Sequence, residues 1–323
     1  MNSWKEAWNN SPGPRTRAEY IKLSAKGFCM GTADLIPGVS GGTVAFITGI
    51  YEPLLEAVAS IKKDFFVNLI TLRWKEALSS VHLRFLIPLA FGMIFAILSL
   101  ARLMHYLINE QPVPTWAAFF GLIAASIIVI WKDIDGPTKP ANIGFIFIGA
   151  VVAWIMVSLI PVTTPFDWWF IYLCGVIGIT AMILPGLSGS FLLLILGKYE
   201  YITGAVKNPF LVENMITLGV FLCGTISGLL GFSKILNYFM KNYRTQTMAV
   251  LTGILIGSMK KVWPWKEVLE TKIVRGKVRI LREANIFPSE FNSQTALALA
   301  LIVVCFIAIL VMEKQGSKKV SNT

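Results

Sequence analysis

Two apolar stretches of this chain are each interrupted at their centre by the sequence Pro-Gly-x-Ser-Gly. The first stretch covers residues 27–52 (GFCMGTADLIPGVSGGTVAFITGIYE), and the second covers residues 175–200 (GVIGITAMILPGLSGSFLLLILGKYE). Proline removes a backbone donor and glycine permits left-handed or extended backbone, so neither stretch is a continuous helix. The pieces that follow the breaks are too short to cross a bilayer core of about 30 Å. We therefore predict two re-entrant helical hairpins, and a kink within a long span is the alternative.

The two stretches are copies of each other. At an offset of 148, identical residues recur for Gly27, Thr32, Ala33, Pro37, Gly38, Ser40, Gly41, Ile47, Gly49, Tyr51 and Glu52. The similarity continues at an offset of 132, with identities for Gly92, Ile94, Leu98, Tyr106, Thr115, Ala117, Gly121, Ser126 and Trp131. The chain is therefore predicted to be a tandem duplication, with one repeat over 20–163 and the other over 168–312.

The composition places this duplicated chain in a membrane. Hydrophobic residues make up 55% of the chain and charged residues 15%, whereas soluble domains carry about 25% charged residues. Six further apolar segments approach the roughly 20 residues that a membrane-spanning helix needs. They are residues 85–101, 115–131, 142–162, 214–236, 247–263 and 295–312. The predicted fold is an all-α polytopic membrane protein.

Counting crossings predicts the topology. Each repeat contains one re-entrant hairpin and three spans, an odd number of crossings, so the second repeat enters the membrane from the opposite face. Most of the 29 Lys and Arg residues fall on the side of the N-terminal segment 1–19 and the tail 313–323. Because basic loops favour the cytoplasm, both termini are predicted to be cytoplasmic.

The connection 260–282 conflicts with this orientation, since it places many basic residues on the outer side. It is either an interfacial segment that touches anionic headgroups or a solvated loop. The net charge of +11 lies between apolar segments, so we expect anionic membrane lipids as its partners and no nucleic acid.

The inverted hairpins are predicted to bring the two breaks together near the bilayer midplane. Broken backbone at that depth is tolerated only where it is buried in protein or lines a cavity. We expect unpaired N–H groups at the start of each outgoing helix, and such groups suit a phosphate or a carboxylate. The predicted binding residues are Pro37, Gly38, Ser40, Gly41, Gly42, Thr43, Pro185, Gly186, Ser188, Gly189 and Ser190.

One carboxylate lies beside the first break and has no counterpart at the second. Asp34 precedes Pro37 by three residues, and Met182 occupies the equivalent position in the second stretch. A carboxylate at this depth is a candidate for coupling to H⁺ or Na⁺. The alternative is a turn acceptor that binds local amides. No Cys/His cluster with metal-ligand spacing is present, so neither a metal nor an organic cofactor is expected.

Four other charged residues occupy equivalent positions in the two repeats. Glu52 and Glu200 close the two hairpins, either as interfacial anchors or as gate residues. Arg102 and Lys234 correspond at the offset of 132. They either draw a phosphate toward the cavity or extend to the headgroups, as long basic side chains do.

The runs ADLIPGVSGGTVAFITGIYE and AMILPGLSGSFLLLILGKYE resemble the paired signatures of the bacterial polyprenyl-phosphate (undecaprenyl-phosphate) transporter family. The resemblance covers about residues 20–312. It implies a plasma-membrane protein that returns undecaprenyl phosphate to the cytoplasmic leaflet for peptidoglycan and other envelope polymers, with two re-entrant hairpins in inverted repeats. Rocking of one repeat against the other would then expose the phosphate site to each leaflet in turn.

Two other function classes remain open. Undecaprenyl-diphosphate phosphatases also use Pro-Gly-x-Ser hairpins, but they place Arg after the serine and carry a Glu-rich motif. Here Gly41 and Gly189 follow the serines and no Glu cluster exists, so an enzyme is not expected. The second class is an ion-coupled transporter of a small soluble anion. A homo-oligomer is compatible with all of these functions.

Overall fold

The computed structural model describes residues 4–36, 39–274, 277–288 and 290–320. The first half contains α1 (Trp4–Asn10), α2 (Arg17–Asp34), α3 (Gly41–Ile47), α4 (Tyr51–Ala59), α5 (Lys63–Ile70), α6 (Trp74–Ser79), α7 (Leu83–Glu110), α8 (Pro112–Lys132) and α9 (Pro140–Ser158). The second half contains α10 (Trp168–Ile183), α11 (Gly189–Ile195), α12 (Tyr199–Lys207), α13 (Val212–Asn242), α14 (Arg244–Val262), β1 (Lys266–Val274), β2 (Lys277–Asn285) and α15 (Ser293–Val320).

Five of the described helices are long and apolar enough to cross a membrane: α7, α8, α9, α13 and the Ser293–Val311 part of α15. Large apolar side chains on these helices are exposed, for example Leu98 at 79% and Phe147 at 67%. Such a surface would be costly in water and suits contact with lipid tails. The prediction of an all-α polytopic membrane protein is confirmed.

The sixth predicted span, 247–263, forms α14 but is less apolar than the other five. Thr252 and Ser258 of this helix are buried, and α14 packs against α8 and α9. A helix enclosed by protein has little surface in contact with lipid, and small or polar residues allow close helix packing. The sequence pattern alone did not separate this enclosed helix from the lipid-facing ones.

The arms that enter the two breaks are longer than the predicted half-helices. Helix α2 has 18 residues and α10 has 16. The start of α2 is fixed by a capping box, in which the Thr16 hydroxyl accepts from the Glu19 amide and the Glu19 carboxylate accepts from the Thr16 amide. Such reciprocal capping satisfies two donors that a helix end leaves free.

The outgoing arms are short and end in equivalent turns. Both α3 and α11 have seven residues. Gly49 follows α3 with a φ of +69°, and Gly197 follows α11 with a φ of +65°. Because a side chain is strained at such φ values, glycine permits the turn into α4 and α12.

The helix pairs α2–α7 and α10–α13 pack in equivalent ways. A Cβ atom at Gly92 would lie 2.0 Å from the carbonyl oxygen of Ser24, and one at Gly224 would lie 2.0 Å from that of Tyr172. These contacts correspond at the offsets of 132 and 148, so the packing supports the duplication. Across the halves, α8 packs on α15 and α9 packs on α14. The inverted orientation and the bounds 20–163 and 168–312 stay predictions.

The basic connection 260–282 contains regular secondary structure that we did not predict for it. Most of it forms β1 and β2, which pair antiparallel with Val268 opposite Glu283. The alternation of apolar and charged residues in this connection is the period-two pattern of a strand. Its position, at the anionic headgroups or in solvent, stays a prediction, because a β-hairpin fits either place.

Candidate functional site

The two breaks contact each other directly. The Ser40 hydroxyl donates to the carbonyl of Met182 at 2.8 Å, and the Gly186 amide donates to the Thr43 hydroxyl at 2.8 Å. The Tyr51 hydroxyl donates to the carbonyl of Ile183 at 3.0 Å. We call the segment 34–43 the first elbow and the segment 182–190 the second elbow. Pro37 and Gly38 lie outside the described residues.

The first elbow satisfies its own amides. The Asp34 carboxylate accepts from the Gly41 amide at 2.7 Å, and the Ser40 hydroxyl accepts from the Gly42 amide at 3.1 Å. The prediction of unpaired N–H groups was therefore wrong at Gly41 and Gly42. Asp34 acts as the turn acceptor that was the alternative to an ion-coupling role. The hydrogen bond does not test ion coupling.

The second elbow lacks these acceptors. Met182 replaces the carboxylate, and the hydroxyls of Ser188 and Ser190 pair with each other at 2.9 Å. Among the described residues, the Gly189 and Ser190 amides donate to no capping side chain and to no backbone carbonyl outside the helix. Ser188 and Gly189 are buried. The donors that the sequence predicted for both elbows are thus present at the second elbow.

A cavity of about 300 Å³ adjoins the first elbow. Asp34 and Gly42 line it together with Met182 and Ser233, and most of its other wall residues are apolar. The Ser233 hydroxyl is buried and has no hydrogen-bond partner in the described part of the chain. Ser233 could not be predicted as a site residue, because it is one of several small polar residues in α13 and no motif marks it.

A second, apolar cavity of about 550 Å³ lies beside the second elbow. Leu184 of the elbow lines it, and the remaining walls come from α9, α13 and α14. Phe239 and Tyr243 at its rim are 45% and 48% exposed. The cavity therefore connects the second elbow to the outer surface of the helix bundle.

The other charged candidates lie away from the elbow contacts. Glu52 forms an ion pair with Arg244 at 3.1 Å, and both side chains are about half exposed. Glu200 is partly buried in α12. Arg102 and Lys234 are exposed on α7 and α13, and among the described residues no hydrogen bond or ion pair joins them to either elbow.

A third cavity, of about 470 Å³, lies where the β-hairpin meets the ends of α9, α11 and α14. Its walls carry Lys260, Lys261, Lys266, Arg282 and Glu283. In the sequence these residues belong to a basic connection, and nothing in its pattern shows that the hairpin folds back onto the helices. Among the described residues, no group of three or more His, Cys, Asp or Glu could hold a metal ion.

Comparisons with known proteins agree with the resemblance read from the elbow motifs. Residues 30–279 match the family model described as undecaprenyl phosphate translocase-like. The polyprenyl-phosphate transporter of Vibrio cholerae is 38% identical over 311 residues, which cover 93% of this chain and 98% of that protein. The polyprenyl-phosphate transporter of Staphylococcus aureus is 32% identical over 255 residues, covering 74% of this chain and 84% of that protein. No solved structure matches the chain.

Proposed function

The chain belongs to the undecaprenyl phosphate translocase-like family, and on that premise we propose that it moves undecaprenyl phosphate across the bacterial cytoplasmic membrane. The observation that carries this proposal is the direct contact of two buried elbows, one of which keeps unpaired amides. A phosphate that crosses hydrocarbon without partners would cost many kcal/mol, and amide donors lower that barrier.

We place the phosphate at the second elbow. The Gly189 and Ser190 amides begin α11, where the aligned peptide dipoles favour an anion. The hydroxyls of Ser188 and Ser190 pair with each other and add two further donors once they rotate toward the phosphate. At the first elbow an incoming phosphate would have to displace Asp34 from Gly41, so we assign Ser40, Gly41, Gly42 and Thr43 to supporting the second elbow.

We place the start of the polyprenyl tail in the apolar cavity beside Leu184. Its walls are almost wholly apolar, and its rim reaches the lipid-facing surface at Phe239 and Tyr243. A tail in this position stays in a hydrocarbon environment while the phosphate reaches the elbow. A small soluble anion would gain no binding free energy from this apolar cavity. The cavity therefore favours the lipid over the soluble-anion alternative.

The proposed direction is return to the cytoplasmic leaflet, where precursors of peptidoglycan and other envelope polymers are assembled. Both termini are proposed to be cytoplasmic, and alternating access would expose the second elbow to each leaflet in turn. Asp34 is the proposed coupling group for H⁺ or Na⁺, because a carboxylate within the membrane is costly and its cavity also contains the unpaired Ser233 hydroxyl.

The test is a leaflet-accessibility assay in proteoliposomes that contain undecaprenyl phosphate. A water-soluble phosphatase added outside hydrolyses only the lipid in the outer leaflet. In empty vesicles hydrolysis should stop at about half of the lipid, and in vesicles with the protein it should run to completion. The proposal would be contradicted if hydrolysis stopped at the same fraction of the lipid with and without the protein. Phosphate release from undecaprenyl diphosphate without added phosphatase would favour the enzyme, and uptake of free phosphate would favour the soluble-anion transporter.

The site is tested in the same assay with two changes at one position. Ser190→Pro removes the amide donor in the first turn of α11, where proline is tolerated. Ser190→Ala removes only the hydroxyl. We expect Ser190→Pro to slow translocation by about tenfold or more, because a hydrogen bond to a charged group is worth about 1.5–3 kcal/mol, and Ser190→Ala to slow it less. Bulky residues at Gly41 or Gly189 would not test the site, since they would collide with Asp34 and with the Gly178 carbonyl.

A further inference from the structure

The basic cavity beside the β-hairpin contains more positive than negative charge. Lys260, Lys261, Lys266 and Arg282 line it, and Glu283 is the one acidic residue among its lining residues. The Lys266 ammonium lies 3.1 Å from the Glu283 carboxylate, and the Lys261 ammonium lies 3.6 Å from the same oxygen. Two lysines therefore share one carboxylate.

Burial makes this excess of charge unfavourable. The side chains of Lys266 and Lys261 are 12% and 23% exposed. Burial and the nearby Lys261 lower the pKa of Lys266. Burial alone would raise the pKa of Glu283, but the two lysines outweigh it, so the pKa lies below its usual value and the carboxylate stays ionised. A further anion in the cavity would relieve the repulsion between the lysines.

Aromatic rings hold three of these cations in place. The ammonium groups of Lys260, Lys261 and Lys266 lie 4.4, 4.8 and 4.8 Å from the ring centroids of Trp154, Phe191 and Trp116, respectively. These rings belong to α9, α11 and α8. Lys266 also donates to the Lys261 carbonyl at 2.8 Å. The lysines are therefore ordered before any ligand arrives, which reduces the entropy lost on binding.

The cavity adjoins the helix that starts at the second elbow. Phe191, Leu194 and Ile195 of α11 form one wall, and Phe191 directly follows Ser190. Apolar side chains, including Ile160 and Leu269, complete the walls. An anion with an apolar tail would find partners here for both parts.

We propose that this cavity is a second binding site for the phosphate monoester of a polyprenyl phosphate, from which the lipid passes to or from the second elbow. This inference rests on the proposed function. The four basic residues and one carboxylate that line the cavity leave an excess of three positive charges. A phosphate monoester, with a charge of about −1.5 to −2 at pH 7, neutralises more of this excess than the single charge of a phosphodiester lipid. The site would therefore bind the polyprenyl phosphate in preference to the bulk anionic lipids because of its higher charge.

The test measures binding of radiolabelled undecaprenyl phosphate to the whole protein in phosphatidylcholine nanodiscs. Lys261→Gln and Lys266→Gln should each weaken the binding of one of the two lipid equivalents about tenfold, since each removes a charged donor from the hairpin cavity and leaves the second elbow unchanged. Glu283→Gln should strengthen binding several-fold, because it frees both lysines. Lys132→Gln is the matched control; Lys132 pairs with Glu313 on other helices, and its loss should leave binding unchanged.

The outcomes separate the two proposals. If the wild-type protein binds no more lipid than empty nanodiscs, the proposed function fails. If it binds and the Lys261 and Lys266 variants match the Lys132 control, the second site is refuted. Weaker binding by Glu283→Gln would also refute it, since a purely structural cluster loses function in every variant. Equal competition by phosphatidylglycerol or by inorganic phosphate would show a general anion site and not a monoester-lipid site.

A second measurement needs no variant. An amine-reactive reagent labels exposed lysines, and mass spectrometry follows each one. Undecaprenyl phosphate should slow the labelling of Lys261 and Lys266 by several-fold and leave Lys132 unaffected. Equal labelling with and without the lipid would overturn the inference.

Discussion

The two elbow serines are equivalent in sequence but should contribute differently to stability. The Ser40 hydroxyl accepts from the Gly42 amide and donates to the Met182 carbonyl of the other elbow. Within the described part of the chain, the Ser188 hydroxyl bonds only to that of Ser190. The matched changes Ser40→Ala and Ser188→Ala remove the same atom, so any difference between them reports on these contacts.

The expected magnitudes follow from these hydrogen bonds. Loss of an N-cap side chain costs about 1 kcal/mol, and loss of a buried hydrogen bond between the elbows costs about 1 kcal/mol more. Ser40→Ala should therefore lower the free energy of unfolding by about 2 kcal/mol. Ser188→Ala should lower it by less than about 1 kcal/mol, because its bond is local and its hydroxyl caps no amide.

The assay is reversible unfolding of the purified protein in mixed micelles, with increasing mole fraction of a denaturing detergent. Both variants are then reconstituted for the leaflet-accessibility assay. Ser188→Ala should keep stability and slow translocation, whereas Ser40→Ala should lose stability. Equal losses of stability in the two variants would refute the assignment of the first elbow to support and the second to binding.

Three further results are expected. Gly224→Ala should destabilise the α10–α13 pair by about 1–3 kcal/mol, because its Cβ would overlap the Tyr172 carbonyl. Gly219→Ala on the same helix meets nothing within 4 Å and should be neutral or slightly stabilising in the same unfolding assay. Asp34→Asn keeps an acceptor for the Gly41 amide, so stability should hold while the dependence of translocation on an ion gradient is lost; an unchanged dependence would exclude Asp34 as the coupling group. Glu52→Gln removes the exposed ion pair with Arg244 and should lower the free energy of unfolding by less than about 1 kcal/mol. High salt should remove the difference between this variant and the wild-type protein, because it screens exposed charges.

Much of the architecture could be predicted from the sequence, because helices that contact lipid need long runs of apolar residues. Long apolar runs mark the lipid-facing helices, and proline with glycine marks where a helix ends. The duplicated motif also predicted that the two elbows occupy equivalent positions. The boundaries were less accurate, since the capping box at Thr16 and Glu19 extends α2 through polar residues that an apolar window excludes.

The sequence showed that the two elbows differ, but the effect of this difference on their amides could only be seen in three dimensions. The sequence shows that Asp34 corresponds to Met182, but it does not show that the Asp34 carboxylate occupies the Gly41 amide. A motif specifies which groups a turn exposes, and neighbouring side chains decide which of them stay free. The unpaired Ser233 hydroxyl and the basic cavity were missed for the same reason, because both depend on contacts between distant segments.

The glycine-mediated contacts within α2–α7 and α10–α13 have a consequence for how the protein can move. Helices whose backbones touch cannot slide without steric overlap, so each pair should travel as one rigid body. The pairs α8–α15 and α9–α14, however, join the two halves of the duplication. A rigid-body rotation of one entire half would break the contacts in both of these interfaces. We therefore expect the helix pairs α2–α7 and α10–α13 to be the mobile units. Each would shift against a stationary frame that α8, α9, α14 and α15 form from both halves.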